Sequence, residues 1–127
     1  MKFLIVEDNP HNTVYAQFLL KKLKYENIAA TSGEEALDLL QTEKVDCMLV
    51  DINLGMGMSG VEFLKNILQD NHARNVPMIA VTAYCTTGDK EKFLKEGFDD
   101  FLAKPYTFKE LKQVLNRTLQ LNDYAVI

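Results

Sequence analysis

The chain of 127 residues has only two cysteines, Cys47 and Cys85. Their number and separation fit neither a disulfide framework nor a metal-ligand spacing, and Cys47 falls in an apolar run where a free thiol packs as a small hydrophobe. No apolar stretch approaches the roughly 20 residues that a membrane-spanning helix needs, and no basic segment leads into a short apolar one at the start. Positive charge is not in excess: 14 Lys and Arg stand against 18 Asp and Glu, a net charge of −4, with the basic residues scattered among the acidic ones. A nucleic-acid surface needs the opposite balance, gathered on one face. Biased segments, linkers and internal repeats are missing, and the length leaves no room for a second domain. What remains is a single globular domain over residues 1–127, expected in the cytoplasm with neither membrane nor nucleic acid as a partner. Its 47% hydrophobic and 25% charged residues supply a core and a solvated surface, and a chain of this size buries about two thirds of its unfolded surface.

What is present is an alternation of short apolar runs with helical patterns, repeated about five times. Lys2 to Val6 reads as a strand, followed by a helix from His11 to about Lys24 with Asn9 as its cap and Pro10 at its first position, where a missing N–H costs nothing. Asn27 to Ala30 is a weak second strand, expected at an edge. Ser32 and Glu35 form a capping box that opens a helix carrying Ala36, Leu37 and Leu40. Val45 to Val50 is the third strand, and Ser59 to Gln69 a helix with Val61, Leu64 and Leu68 on one face. Pro77 begins the fourth strand, where it breaks no ladder bond. Gly88 to Glu96 is a short polar helix with Phe93 and Leu94 as its main apolar contacts, closed by Gly97. Asp99 to Ala103 is the fifth strand. Thr107 to Leu121 is the last helix, with Thr107 and Glu110 as a capping box and Leu111, Val114, Leu115 and Leu119 inward. Such alternation implies right-handed βαβ units and a parallel sheet covered on both faces.

Polar residues stand where the apolar runs give out: Glu7 and Asp8 after the first, Asp51 after the third, Thr82 after the fourth and Lys104 after the fifth. The carboxyl ends of parallel strands are where open α/β sheets keep their sites. If the strands share one sheet and direction, three carboxylates, one ammonium and one hydroxyl converge at one edge. Like charges at that range repel by several kcal/mol in a partly buried setting. A divalent cation and an anionic group relieve that repulsion, so the pattern points to Mg²⁺, or Mn²⁺ in its place, and a phosphoryl group.

The set Glu7-Asp8, Asp51, Thr82-Ala83 and Lys104-Pro105, in this order and with these separations, resembles the receiver domain of two-component response regulators over essentially the whole chain. The resemblance implies an α/β doubly wound five-stranded parallel sheet of order 2-1-3-4-5 with helices on both faces, a flavodoxin-like topology. It implies that Asp51 accepts a phosphoryl group from a histidine kinase or histidine phosphotransfer protein. Glu7, Asp8, Asp51 and the backbone carbonyl of Asn53 would ligate Mg²⁺, with water and a phosphoryl oxygen completing the octahedron. Lys104 would meet the phosphoryl oxygens as a point charge, and Thr82 would donate a hydrogen bond to one of them. The resemblance also makes the Lys104–Pro105 bond cis. It further couples Thr82 to rotation of Phe101, so that the fourth helix, fifth strand and fifth helix report phosphorylation to an unidentified downstream protein; the plainer alternative leaves Phe101 in the core throughout. The face of the first helix with His11, Asn12, Tyr15 and Ala16 is the expected kinase-facing surface. On this reading the chain is no independent enzyme and catalyses only its own phosphorylation and dephosphorylation.

Two departures from the common pattern stand out. The loop from Ile52 to Gly60 lacks the proline usual near Gly55, is one residue longer and carries extra glycines, so it is expected to be freer. In this it resembles receivers attached to hybrid kinases; Met56 and Met58 either cover the core or offer an adaptable docking patch. Tyr84, two residues beyond Thr82, either overhangs Asp51 and hinders the water that hydrolyses an acyl phosphate, or points to solvent or packs on the fourth helix. Two rival functions remain. A dehalogenase-type phosphohydrolase also uses an aspartate nucleophile, but it needs a second aspartate where Asn53 stands, and a cap domain. A pseudo-receiver acting purely as a protein-binding module would tend to have lost one of the acidic residues or the lysine, and this chain has them all.

Overall fold

Alternate residues along each apolar run face opposite sides of a sheet, and both sides are covered. The computed structural model describes residues 1–55, 57–70, 72–83 and 87–120. Its strands are β1 (Lys2–Val6), β2 (Glu26–Ala30), β3 (Cys47–Asp51), β4 (Met78–Thr82) and β5 (Asp100–Ala103). They pair in parallel in the order β2-β1-β3-β4-β5. The helices are α1 (Pro10–Lys22), α2 (Gly33–Leu39), α3 (Gly60–Asp70), α4 (Thr87–Glu96) and α5 (Phe108–Thr118). Among the described residues no helix is long and apolar enough to cross a membrane.

The two sides of the sheet form separate cores. Phe3, Ile5, Cys47, Leu49, Ile79, Val81 and Leu102 pack with α1 and α5 through Ala16, Leu20, Leu111 and Leu115. Leu4, Val6, Met48, Val50, Met78 and Ala80 pack with α2, α3 and α4 through Ala36, Leu40, Phe63, Ile67 and Phe93. With strands buried on both faces, the near-continuous apolar runs of the sequence are what the geometry demands. Burial lifts the Cys47 thiol to a pKa of about 12, which suits the packing role expected of it.

The caps fall largely as read. The Asn9 side chain accepts from the N–H groups of His11 and Asn12, and the helix begins at Pro10. Thr107 and Glu110 make a complete capping box. At α2 only half of the expected box forms: Ser32 accepts from Glu35 N, while the Glu35 carboxylate reaches the N–H of Thr31 instead. A box that the sequence reading passed over opens α3, where Ser59 and Glu62 each accept from the other's N–H.

Several boundaries and faces are corrected. The third strand starts at Cys47, with Val45 buried ahead of it. The last helix ends at Thr118, and Gln120 has a φ of 54°. Leu68 and Leu94 are 40% and 43% exposed; on α3 Leu64 is buried and Val61 packs on the core as expected, with Phe63 and Ile67 buried beside them, and among the described residues Phe93 is the buried apolar side chain of α4. Pro77 precedes β4, and its carbonyl accepts from Met48 N.

Candidate functional site

The strand register brings the carboxyl ends level: Val6 lies beside Val50, Asp51 beside Val81 and Thr82 beside Ala103. Glu7, Asp8 and Lys104 are the residues immediately beyond. Glu7, Asp51 and Thr82 are buried and Asp8 is exposed. α3 can start this close to the end of β3 because residue 60 is glycine. A Cβ there would strike the carbonyl oxygen of Asp51 and come within 2.8 Å of the Ile52 Cα.

Lys104 bridges the buried acids. Its ammonium lies 2.7 Å from Glu7 Oε1 and 3.2 Å from Asp51 Oδ2, and its own N–H donates to the Thr82 carbonyl at 2.8 Å. Burial pulls the Lys104 pKa down, but the hydrogen bond to Glu7 and the charges of Asp51 and Glu7 outweigh it, so the pKa stands above the ordinary lysine value. The Lys104–Pro105 peptide bond is cis.

Each carboxylate also accepts one backbone N–H. Asn9 N donates to Glu7 Oε2 at 3.1 Å, Asn53 N to Asp51 Oδ1 at 3.0 Å and Gly55 N to Asp8 Oδ2 at 2.8 Å. One oxygen from each of Glu7, Asp8 and Asp51 lies within 4.8 Å of the others. Three hard carboxylate donors so gathered, two of them buried, fit a divalent cation such as Mg²⁺. Alongside them a cavity of about 580 Å³ opens between α1 and the segment after β5, lined among others by Asn12, Tyr15, Ala16, Asp51, Ala83 and Lys104. Tyr15 Oη donates to the Tyr106 carbonyl across it at 2.6 Å. Tyr106 is buried, and that burial, with Tyr15 and Glu7 nearby, raises its phenol pKa to about 12.

The structure thus brings together Glu7, Asp8, Asp51 and Lys104, with Thr82 at the end of the adjoining strand. Phe101 lies on β5, two strands from Asp51, partly buried against the core on the α4 side, with the Lys90 ammonium 4.6 Å from its ring centroid. Tyr84, Cys85 and Met56 lie outside the described residues. Described residues of the loop after Asp51 are hydrogen-bonded: besides the Asn53 and Gly55 bonds, Met58 N donates to Glu34 Oε2 at 3.2 Å. Sequence reading missed the Gly55, Glu34 and Lys90 contacts and took Asn9 only as a helix cap. The Ser-Gly-Val-Glu run at 59–62 was a signal for the loop's far end; nothing in the sequence marked the other contacts.

A description of the response regulator receiver domain matches residues 3–116. The chain is 38% identical over 122 residues to hybrid signal transduction histidine kinase I of Dictyostelium discoideum, covering 91% of this chain but 7% of that protein. It is also 38% identical over 102 residues to the polar-differentiation response regulator DivK of Brucella anthropi, covering 80% of this chain and 82% of that one. Among solved structures it is similar to the receiver domain of a sensor histidine kinase from Pseudomonas aeruginosa, which has magnesium coordinated in its active-site cleft. The TM-score is 0.83 at 33% identity, covering 94% of this chain and 97% of that one.

Proposed function

Because the chain belongs to the response regulator receiver family, we propose that it accepts a phosphoryl group on Asp51 from the phosphohistidine of a histidine kinase or histidine phosphotransfer protein. The observation that carries this reading is the Lys104 ammonium set between Asp51 Oδ2 and Glu7 Oε1 beside a third carboxylate. An Asp51 oxygen attacks phosphorus as the P–N bond of the donor breaks, and the bonding electron pair returns to the imidazole. Phosphoryl transfer is mainly positioning and charge neutralisation. Lys104 is already charged and in contact with Asp51, so it moves only from a carboxylate oxygen to a phosphoryl oxygen. The Thr82 hydroxyl donates to another of these oxygens.

Glu7, Asp8, Asp51 and the Asn53 carbonyl would hold Mg²⁺, which when bound would supply charge neutralisation for the phosphoryl oxygens. Movement of Thr82 toward the phosphoryl group is coupled to Phe101, and the α4–β5–α5 face carries the signal to a downstream protein in the cytoplasm. The kinase or phosphotransfer protein docks on the α1 side, where the cavity by Tyr15 opens next to Asp51. Independent enzymatic turnover of a small substrate is not part of this reading.

Incubation with acetyl phosphate and Mg²⁺, followed by intact mass measurement, tests it. The wild type should gain one phosphoryl group and Asp51→Asn none. Labelling of Asp51→Asn at another aspartate removes the assignment, and a wild type that never labels favours the pure binding module.

A further inference from the structure

We propose that the segment joining β3 to α3 acts as an outer clamp on Asp8, in which the Gly55 N–H, held in place by Glu34, sets the affinity of the site for Mg²⁺; this rests on Glu7, Asp8 and Asp51 being the metal ligands. The three carboxylates are not equally secured. Glu7 and Asp51 are buried, and each is fixed by Lys104 and by a backbone N–H from its own chain neighbourhood, Asn9 or Asn53. Asp8 is exposed, and among the described residues its one hydrogen bond comes from Gly55, 47 positions along the chain. An exposed aspartate samples several rotamers, and coordination must freeze them. A carboxylate has about four lone-pair sites. Holding Oδ2 therefore fixes the rotamer and leaves Oδ1 for the metal, as hydrogen-bonded partners of ligating groups commonly do.

Gly55 suits this task twice over. It retains an N–H that proline would lack, and a Cβ at this position would come within 2.7 Å of Asp8 Oδ2 and push the carboxylate away. The loop that presents it is secured at its far side on α2. Glu34 Oε2 accepts from Met58 N, its carboxylate lies against Gly57, and the Met58 side chain rests on Gly33, where a Cβ would come within 2.5 Å of its Cγ. Glu34 has no hydrogen bond to any of the three ligands among the described residues, so its influence on the metal passes through this loop or through its charge.

Charge and hydrogen bonding can be separated. Glu34→Ala and Glu34→Gln both lose the negative charge, but the glutamine amide oxygen still accepts from Met58 N. Mg²⁺ affinity is measured by calorimetric titration of wild type, both Glu34 variants, Gly55→Pro and Asp8→Ala, with metal-free thermal unfolding of each as the folding control. Gly55→Pro should weaken Mg²⁺ about ten-fold, the low end for partners of metal ligands, and Glu34→Ala by roughly three-fold, with Glu34→Gln close to wild type. If Gly55→Pro does not fold, the Glu34 pair decides alone. Equal affinity in Glu34→Ala and Glu34→Gln overturns the clamp. In that case, weakened binding in Asp8→Ala leaves the ligand assignment standing, whereas wild-type affinity in Asp8→Ala removes the assignment itself.

Discussion

Lys104 holds two carboxylates at once, and this dual pairing determines what its removal does. The ammonium neutralises part of the charge that would otherwise draw in a dication, and it also repels that dication directly. Even at a high effective dielectric, repulsion between the two over a few Å amounts to on the order of 1 kcal/mol or more. Lys104→Ala should therefore bind Mg²⁺ about ten-fold more tightly, while its phosphorylation by acetyl phosphate slows. Calorimetry and a phosphorylation time course check both halves; weaker Mg²⁺ binding in the variant would mean that the lysine orders the acids more than it competes for them. These five polar residues were legible because a parallel sheet leaves few places where a short apolar run can end in a carboxylate, a hydroxyl or a lysine. Gly55 and Glu34 were not, because their partners lie 47 and 24 positions away and a backbone N–H has no signature in sequence.

Between elements, the clearest electrostatic tie joins β5 to α5. Arg117 Nε and Nη2 donate to the two carboxylate oxygens of Asp100 at 2.8 and 3.0 Å, and Thr118 Oγ1 donates as well. Burial alone would raise the Asp100 pKa, but the Arg117 and Phe101 N–H hydrogen bonds, the Arg117 charge and Thr118 bring it below the ordinary carboxylate value. A carboxyl whose pKa is lowered on folding adds stability above its unfolded pKa of about 3.9, and that stability is lost as pH falls through the folded value. Arg117→Ala should thus lower the melting temperature at pH 7 and flatten the decline below about pH 4; pH-dependent thermal unfolding of the two proteins measures this. The loss at pH 7 should be about 1–2 kcal/mol, less than for a fully buried pair, because the Arg117 side chain is 59% exposed and water screens it. Strands and helices were readable because apolar periodicity and caps are local. The inward face of α3 was read too narrowly: Leu64 and Val61 pack on the core as expected, but packing against the sheet also buries Phe63 and Ile67 and leaves Leu68 at the margin beside Gly97.

At the scale of the whole molecule, the two cores lie on either face of the sheet and the acidic cluster sits at its rim. Both cores are built from apolar side chains, so the protein should remain folded in EDTA. Mg²⁺ at ten times its dissociation constant should then add only about 1.4 kcal/mol by mass action. Melting curves with and without the ion check this, and loss of the transition in EDTA would show that the acids need the cation to fold. The parallel sheet was legible from alternation; its strand order came from family resemblance, since alternation alone does not say which strand is central. Lys104 follows the edge strand β5, yet its N–H is bonded to the end of β4 and its ammonium reaches the end of β3 and the residue after β1. Mechanically it is a rivet through the rim: β5, with one ladder neighbour, is fastened across two further strands, so pulling on α5 loads the centre of the sheet instead of peeling its edge.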